Sequence, residues 1–164
     1  MKTIQNQTFD EERALYGSRD ILVKDCAFDG PADGESAFKE CADIRAEHCF
    51  FNLRYPFWHA KHVLVRNSVV KGEYLAWYCE DVTFENCKII GTQPLCYCKN
   101  LKLINCEMID TDLAFERSEV EATVLTPVLS IKNPYAGHIS VPSVGEIIRD
   151  DEYAKGEILI GGTR

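Results

Sequence analysis

The chain has 164 residues and a formal charge of −8, which is the size of one domain. No lysine or arginine run is present, so nucleic-acid binding, which needs a basic surface to neutralise phosphates, is not expected. No apolar run approaches the roughly 18 residues of a membrane span. The polar stretch 1–8 lacks the apolar core of a signal peptide. We therefore predict a single-domain cytoplasmic protein with no membrane partner.

The chain begins with a polar segment, residues 1–12, in which Ile4 and Phe9 are the large apolar side chains that stand out. A solenoid exposes an apolar end unless a segment covers it. We predict that residues 1–12 form an N-terminal cap.

A repeat fills residues 13–125. The stretch 80–91 (EDVTFENCKIIG) recurs at 99–110, and the same template fits around 61–72, 42–51 and 19–28. Counted from the first apolar strand residue, called position 0, the repeats begin at Ile21, Ile44, Val63, Val82, Leu101 and Val120. The first interval is longer than the equal intervals that follow, and it contains a predicted surface loop at 29–34. Self-similarity at a fixed period of about 19 residues predicts a solenoid.

Each repeat alternates like a strand. Positions 0 and +2 are apolar, as Val82 and Phe84 show, and positions −6 and +7 are apolar as well. Alternation with period 2 indicates strands, and a repeat this short leaves no room for an added helix. We predict an all-β fold, a single-stranded parallel β-helix of about six coils spaced about 4.8 Å apart. A leucine-rich repeat fits less well because cysteine or alanine stands where leucine is required.

Seven of the eight cysteines fall in two columns of this template. Position +5 holds Cys26, Cys49, Ser68, Cys87 and Cys106, and position −3 holds Ser18, Cys41, Ala60, Cys79 and Cys98. Columns that accept Cys, Ser and Ala indicate small side chains, so reduced thiols are expected. Cys96 lies outside both columns, and no second pair at ligand spacing follows Cys96-Tyr97-Cys98, so neither a metal site nor a cofactor is predicted.

Position +4 is the predicted turn of each repeat. It holds Asp25, His48, Asn67, Asn86 and Asn105. Asparagine adopts left-handed turn conformations readily, and stacked amides can hydrogen-bond between coils. A structural role is therefore favoured for this column.

After Val120 the template fails. Residues 126–164 contain Pro127, Pro134 and Pro142 among short apolar runs. We predict a C-terminal β-rich cap, which could also supply a dimer surface.

Five phrases resemble a known family. They are residues 9–17 (FDEERALYG), 28–37 (FDGPADGESA), 52–59 (NLRYPFWH), 72–78 (GEYLAWY) and 91–97 (GTQPLCY). Together they resemble a bacterial family of unknown function that is similar to the right-handed parallel β-helices of the pectin-lyase-like group. The resemblance implies that fold and assigns no reaction. Members of the family are generally longer than this chain.

An aromatic strip precedes the cysteine column. Because position −6 should point inward, position −5 should point outward, and it holds Tyr16, Lys39, Trp58, Trp77, Cys96 and Phe115. Exposed aromatic rings are platforms for sugar rings and mark interaction surfaces. The predicted ligand-binding residues are Trp58, Trp77, Tyr78, Tyr97 and Arg54. The alternative is that the C-terminal cap or a second subunit covers the strip.

Catalytic residues are less clearly indicated. The candidates near the strip or at turns are Glu40, His59, Asp110, Asp112, Glu116 and Arg117, and none forms a motif of diagnostic spacing. If the protein is an enzyme, fold analogy alone suggests a polysaccharide lyase or glycoside hydrolase. Two hypotheses follow: a carbohydrate-binding or carbohydrate-acting protein, or a non-catalytic module whose aromatic face is a homo-oligomer interface.

Overall fold

The computed structural model describes residues 1–11, 14–29 and 37–161. These residues form strands and turns, and no helix occurs among them. The strands are β1 Lys2–Gln5, β2 Thr8–Phe9, β3 Arg19–Lys24, β4 Ala27–Asp29, β5 Ala42–Glu47, β6 Phe50–Asn52, β7 Lys61–Arg66, β8 Val69–Lys71, β9 Glu80–Glu85, β10 Lys88–Ile90, β11 Lys99–Ile109, β12 Glu119–Val124, β13 Val128–Lys132, β14 Ala136–Val141, β15 Val144–Ile148 and β16 Glu157–Ile160.

The strands stack in parallel into long sheets. One sheet runs β1-β3-β5-β7-β9-β11-β12-β14-β16, and a second runs β2-β4-β6-β8-β10 and ends on β11, which belongs to both. Strands β13 and β15 form a separate parallel pair. Strand hydrogen bonds therefore link successive coils, and the predicted parallel β-helix is confirmed.

The predicted register is also confirmed. Ile21 lies opposite Ile44, and Val82 lies opposite both Val63 and Leu101. Val120 follows opposite Leu101. Each repeat of the sequence is therefore one complete coil of the solenoid.

The number of coils differs from the prediction. The structure has about eight turns where six were expected, because the segments predicted as caps carry strands of the same sheets. β1 pairs in parallel with β3, and β14 and β16 continue the sheet beyond β12. The template misses these coils because position 0 is Lys2 in the first and Gly137 in a late one, neither of which is apolar. Of the predicted surface loop at 29–34, residues 30–34 lie outside the described part of the chain.

Stacked phenylalanines fill the interior of the N-terminal coils. The rings of Phe9, Phe28 and Phe51 lie 4.9 and 4.8 Å apart and nearly parallel, and Phe38 stacks on Phe57 at 5.4 Å. Phe28, Phe38, Phe51 and Phe57 are fully buried. Offset stacking at this distance adds to the hydrophobic stabilisation, so identical side chains on successive coils support one another.

Two glycines allow the coils to approach closely at one corner. Gly72 and Gly91 have φ of 152° and 135°, and a Cβ atom on either would lie 1.9 Å from the Leu53 carbonyl oxygen or 2.2 Å from that of Gly72. No side chain fits at that distance, so glycine is required for the backbone contact.

The eight cysteines are buried free thiols, as predicted. Their common feature is a hydrogen bond from the thiol to a backbone carbonyl. Cys41 donates to Leu15 at 2.9 Å, Cys79 to Phe57 at 2.9 Å, and Cys98 to Ala76 at 2.8 Å. These columns therefore favour a small side chain that can donate a hydrogen bond, although Ala60 fits the same space without donating one.

Serine fills the same role where it replaces cysteine. Ser68 donates to the Arg66 carbonyl at 2.8 Å and accepts from the Cys49 N–H at 3.0 Å. Ser118 donates to the Leu95 carbonyl at 2.6 Å and accepts from the Cys98 N–H at 3.0 Å.

Position +4 is a left-handed turn in the five repeats that begin at Ile21 to Leu101, as predicted; in the repeat of Val120 this position is Val124, which belongs to strand β12. Asp25, His48, Asn67, Asn86 and Asn105 have φ between 50° and 53°. Backbone hydrogen bonds join the coils at this turn. The Asn67 N–H donates to the Glu85 backbone carbonyl at 3.0 Å, and the Asn86 N–H donates to the Ile104 carbonyl at 2.9 Å. This column is structural.

Replacing Phe51 by alanine should lower the free energy of unfolding by about 3 to 5 kcal/mol, because this fully buried ring, which stacks on Phe28, would leave a cavity. The neighbouring Phe50 is 37 % exposed and points to the other side of the strand, so Phe50→Ala is the matched control and should cost less than about 1 kcal/mol. Chemical denaturation measures both, and equal losses would contradict the inward assignment.

The thiols should be unreactive in the folded protein. Burial raises the pKa of Cys41 and of Cys49 from 9.0 to about 11, so the reactive thiolate is scarce at neutral pH. We expect negligible reaction with a disulfide reagent at pH 8 and eight reacting thiols after denaturation. Fast labelling of the native protein would contradict this burial.

The raised pKa values also predict a pH dependence. These thiols have a pKa of about 9 in the unfolded chain and about 11 in the folded protein. Their contribution to stability is therefore complete below pH 9 and is lost as the pH rises towards 11. The free energy of unfolding should therefore fall between pH 9 and pH 11. Denaturation curves across that range check it, with Cys49→Ser reducing the slope.

Candidate binding face

Seven rings form a continuous surface across three consecutive coils. We call it the aromatic face; its members are Tyr55, Trp58, His59, Tyr74, Trp77, Tyr78 and Tyr97. They belong to three columns, at positions −8, −5 and −4 of the repeat.

Within each column the rings stack along the solenoid axis. Tyr78 lies between His59 and Tyr97, with centroids 5.1 and 5.0 Å apart and planes within about 11°. Trp58 and Trp77 are paired in register by their backbones, with ring centroids 5.9 Å apart. The spacing follows from the separation of neighbouring strands.

Between columns the rings meet edge to face. The ring planes make angles of 85° between Tyr55 and Trp58, 75° between Tyr74 and Trp77, and 69° between Trp77 and Tyr97. The indole N–H of Trp77 donates to the Gln93 carbonyl at 2.8 Å, which fixes the ring. The surface is therefore preorganised, because its rings are held face to face along the axis and edge to face between columns.

The aromatic face sits on backbone that disfavours large side chains. His59, Tyr78 and Tyr97 have φ of 55°, 57° and 59°, and Tyr55 and Tyr74 have 49° and 58°. The left-handed conformation costs a residue other than glycine, asparagine or aspartate about 1 to 2 kcal/mol. Among the five residues of the turn at position +4, all but His48 are asparagine or aspartate, so the turn itself does not require the aromatic rings.

The aromatic face is open in the described part of the chain. Tyr78 is 45 % exposed, His59 is exposed, and the other five rings are half-buried. Strands β13 to β16 continue the solenoid, and they leave Tyr78 and His59 exposed. The predicted cover by the C-terminal segment is therefore not formed by the residues the structure describes.

The strip at position −5 is shorter than predicted. Cys96 and Phe115 are fully buried, although both were expected to point outward. Phe115 has φ of 66°, like the buried Leu95 with 64° and Ala76 with 53°. The coil before Val120 lacks the left-handed residue that Asn100 supplies one coil earlier, so counting back from Val120 misplaces Phe115 by one position.

Tyr55 and Tyr74 were not predicted as part of the site. They stand one repeat apart at position −8, and their rings stack at 4.9 Å. The repeat period could have identified them, because residues at position −8 of consecutive repeats lie in one column beside Trp58 and Trp77 at position −5.

Arg54 borders the aromatic face. Its guanidinium carbon lies 5.9 Å from the centre of the Tyr55 ring, within range of a cation–π interaction. Its Nε is buried without a hydrogen-bond partner. Glu73 and Asp112 follow in the same column, because the Tyr55 N–H donates to the Glu73 carbonyl and the Gln93 N–H to that of Asp112.

A polar cleft lies at the C-terminal end of the aromatic face. It has a volume of about 490 Å³ and is lined by Glu116, Arg117, Lys132, Asn133, Asp150, Asp151, Glu152 and Tyr153. Two ion pairs cross it, Lys132 to Glu116 at 3.6 Å and Arg117 to Asp151 at 3.4 Å. The cleft adjoins the face, because the Tyr97 N–H donates to the Glu116 carbonyl at 2.7 Å. Burial, with the nearby Glu116 carboxylate as the next cause, raises the pKa of Tyr97.

Comparison with known proteins gives one family. The profile described as "Protein of unknown function (DUF3737)" matches residues 2–67 and 57–160. The chain belongs to this family. Residues 57–67 match twice, as the repeat allows. No curated protein and no solved structure matches the chain.

In this DUF3737 protein the candidate catalytic residues are spread along the solenoid. Glu40 precedes His59 in its column, and Glu116 and Arg117 follow Tyr97. Four coil steps separate Glu40 from Arg117, which is about 19 Å. Asp110 occupies the column of Gly72 and Gly91, at a different corner. These residues do not converge on one point.

Two further features were sought in the described residues, a metal-ligand group and a membrane-spanning helix. Among them, no group of three or more His, Cys, Asp or Glu side chains could hold a metal ion. The same residues contain no helix long and apolar enough to cross a membrane.

The aromatic face predicts an unusual stability result in the DUF3737 protein. Replacing Tyr78 by asparagine removes two stacked contacts worth about 0.5 to 1.5 kcal/mol each but relieves left-handed strain of about 1 to 2 kcal/mol. We expect the free energy of unfolding to change by less than about 1 kcal/mol. Urea denaturation measures it. Tyr78→Ala, which loses the stacking without gaining asparagine's turn preference, is the comparison variant and should be less stable.

Proposed function

We propose that the aromatic face binds a carbohydrate chain that runs parallel to the solenoid axis. The observation that carries the proposal is the open ladder of rings at constant spacing, with Tyr78 45 % exposed at its centre. The repeat distance of about 5.0 Å between Tyr78 and Tyr97 is close to the length of one sugar ring in an extended chain. Successive sugars would therefore meet equivalent surroundings on successive coils.

The chemistry of the surface suits this ligand. Sugar rings present C–H groups on their faces and hydroxyls on their edges, so they pair with a surface that offers both apolar rings and polar groups. The tyrosines combine an aromatic ring with a hydroxyl, and Arg54 adds donors at the border. Because the rings are held by stacking and by the Trp77–Gln93 hydrogen bond, little side-chain entropy is lost on binding.

The location of the rings supports a role beyond folding. Large side chains in left-handed backbone cost free energy, and the stacking between them returns a similar amount. The net gain in stability is therefore small. A ligand that uses the rings explains their presence better than folding alone does.

Turnover is not part of this proposal. Glycoside hydrolases place two carboxylates about 5 to 10 Å apart across the scissile bond. Glu40 and Glu116 flank the aromatic face at opposite ends, about 19 Å apart by coil spacing. Three expectations from the sequence are part of the same proposal. They are a relationship to the right-handed parallel β-helices of the pectin-lyase-like group, a cytoplasmic location and the absence of nucleic-acid partners.

The second candidate function is a non-catalytic module in which the aromatic face joins two copies of the chain. Exposed aromatic surface is enriched at protein interfaces. The half-buried rings and the exposed Tyr78 fit this use as well. The two functions differ in what covers the rings in solution.

Tryptophan fluorescence tests the proposal, since Trp58 and Trp77 are the two tryptophans of the chain and both lie in the face. We expect a shift or quenching with one or more neutral hexasaccharides, from cellulose, mannan or chitin, in a titration of the full chain. Trp77→Ala should weaken binding by about tenfold or more, and Tyr78→Asn should weaken it while keeping the fold. Phe50→Ala, an exposed aromatic outside the face, is the control.

Light scattering on the same samples separates the two functions. A monomer that binds a glycan through Trp77 supports the first. A dimer that dissociates in Tyr78→Asn, with no response to any glycan, would overturn it in favour of the interface.

A further inference from the structure

The described solenoid ends on two strands, β15 and β16, whose outer edges have no partner among the described residues. An unpaired edge carries backbone N–H and C=O groups that can bind another strand. We propose that β16 pairs antiparallel with β16 of a second copy of the chain, which joins two solenoids end to end as a closed dimer. This inference is independent of the carbohydrate binding proposed above.

The hydrophobic core is open at this end. Ile160 lies beside Val141 and Ile147 lies beside Ile131, and both of these neighbours are fully buried. Ile158 packs on the same core and is half-buried. Ile160 and Ile147 are nevertheless 48 % and 39 % exposed, because no further described coil covers them. Apolar side chains exposed together at the end of a core mark an interaction surface.

The free edge of β16 has a defined hydrogen-bonding pattern. The Gly161 N–H donates to the Val141 carbonyl at 3.0 Å, so the Gly161 N–H faces β14. The backbone groups of an extended strand alternate in direction. Those of Leu159 therefore face β14 as well, and those of Ile158 and Ile160 face away from it. Two N–H donors and two C=O acceptors line the free edge.

These groups are complementary to the same groups of a second copy. With a two-fold axis through Leu159, Ile158 of one copy lies opposite Ile160 of the second copy, and each such pair exchanges two hydrogen bonds. Both pairs bring apolar side chains together over the open core. Glu157 lies opposite Gly161 of the second copy, so no like charges are directly opposed. A contact between identical surfaces closes at two subunits.

The edge at the other end of the described solenoid, that of β1, offers a different surface. Lys2 stands in the column of Ile21, and Lys2, Thr3 and Gln5 are exposed. A charged residue in a core column and polar residues along an edge both prevent strand pairing. The charged residue of β16, Glu157, is exposed and lies beside the exposed outer residues of β14. A second copy therefore meets β16 with its own β16 and not with its β1.

The end of the solenoid is large enough for a dimer and far enough from the aromatic face. Residues 144–160, from β15 to β16, approach the roughly 20 to 30 residues a side of a standard interface. Strand β11, which follows Tyr97, lies three strands before β16 in the sheet, which is about 14 Å. Dimerisation through β16 therefore leaves the aromatic rings open.

Analytical ultracentrifugation of the full chain over a range of concentrations tests the dimer. Leu159→Lys places two lysines opposite each other across the two-fold axis, where like charges repel. We expect the dissociation constant of the dimer to rise about tenfold or more. Leu125 is 54 % exposed between β12 and β13, away from the end. Leu125→Lys is therefore the matched control and should leave the dimer unchanged.

A disulfide locates the axis and keeps the test valid if Leu159→Lys fails to fold. Opposite residues of a non-hydrogen-bonded antiparallel pair have Cα atoms about 4.5 Å apart, within the range of a disulfide. Leu159→Cys should therefore form a cross-linked dimer under air oxidation, while the native cysteines are buried. Glu157→Cys is the control, because its two copies would stand four positions apart, about 14 Å, and should not cross-link.

The outcomes separate this dimer from the other assemblies. A dimer that weakens in Leu159→Lys, cross-links through Leu159→Cys and persists in Tyr78→Asn is the result we expect. A monomer at every concentration would overturn the pairing, as would species that keep growing with concentration, or cross-linking through Glu157→Cys and not through Leu159→Cys. A dimer that is lost in Tyr78→Asn and kept in Leu159→Lys would overturn it in favour of the aromatic face.

Discussion

Parallel in-register stacking of the coils is the constraint on which the rest of the structure depends. Each residue lies next to its equivalent one coil away, so a side chain that suits one coil must suit its neighbours. In the core this gives the phenylalanine stacks, such as Phe28 on Phe51 at 4.8 Å. At the corner of Gly72 and Gly91 it brings backbone so close that a Cβ atom would collide with a carbonyl oxygen. Sequence repetition is the consequence of that geometry.

The same constraint explains the cysteine content. A corner of the solenoid leaves an inward carbonyl near the core, and burial without a donor is costly. Cysteine and serine are small enough for the column and can donate to that carbonyl, as Cys79 does to Phe57 and Ser118 does to Leu95. Alanine at position 60 fits the space without donating. The residues found in these columns are explained by packing and by hydrogen bonding to the backbone. The high cysteine content therefore does not indicate disulfide bonds or a metal site.

Much of the fold could be predicted from the sequence because column identity is visible in it. The register of Ile21, Ile44, Val63 and Val82 follows from the spacing of the repeats in the sequence, and the strand pairing in the structure is the same. The end coils escaped prediction because their strands pair through backbone while their side chains depart from the template, as at Gly137 opposite Val120. Hydrogen bonding between parallel strands does not require apolar side chains at every position, so a pattern based on hydrophobicity underestimates the length of the solenoid.

The candidate site was predicted in part. Trp58 and Trp77 were found because indoles at a fixed interval are rare, and their backbone pairing is as expected. Tyr55 and Tyr74 were missed because position −8 lies outside the alternating strand pattern, although the repeat interval places the two residues in one column. Phe115 was misplaced by one residue, an error that only the left-handed φ angles reveal. A missing turn residue shifts every side chain before it, and a sequence count cannot detect the loss.

The structural columns and the candidate binding columns differ in how well their side chains suit a left-handed backbone. Asn67 and Asn86 at position +4 suit left-handed backbone, so those residues are explained by the fold. Tyr78 and Tyr97 have nearly the same backbone angles, but their side chains are poorly suited to them. Stacking between the two rings offsets that cost, yet an asparagine column would have avoided it altogether. Folding alone therefore explains the exposed aromatic columns poorly, whereas the left-handed Leu95 and Phe115 are buried in the core, which is why we propose that the exposed rings bind a ligand.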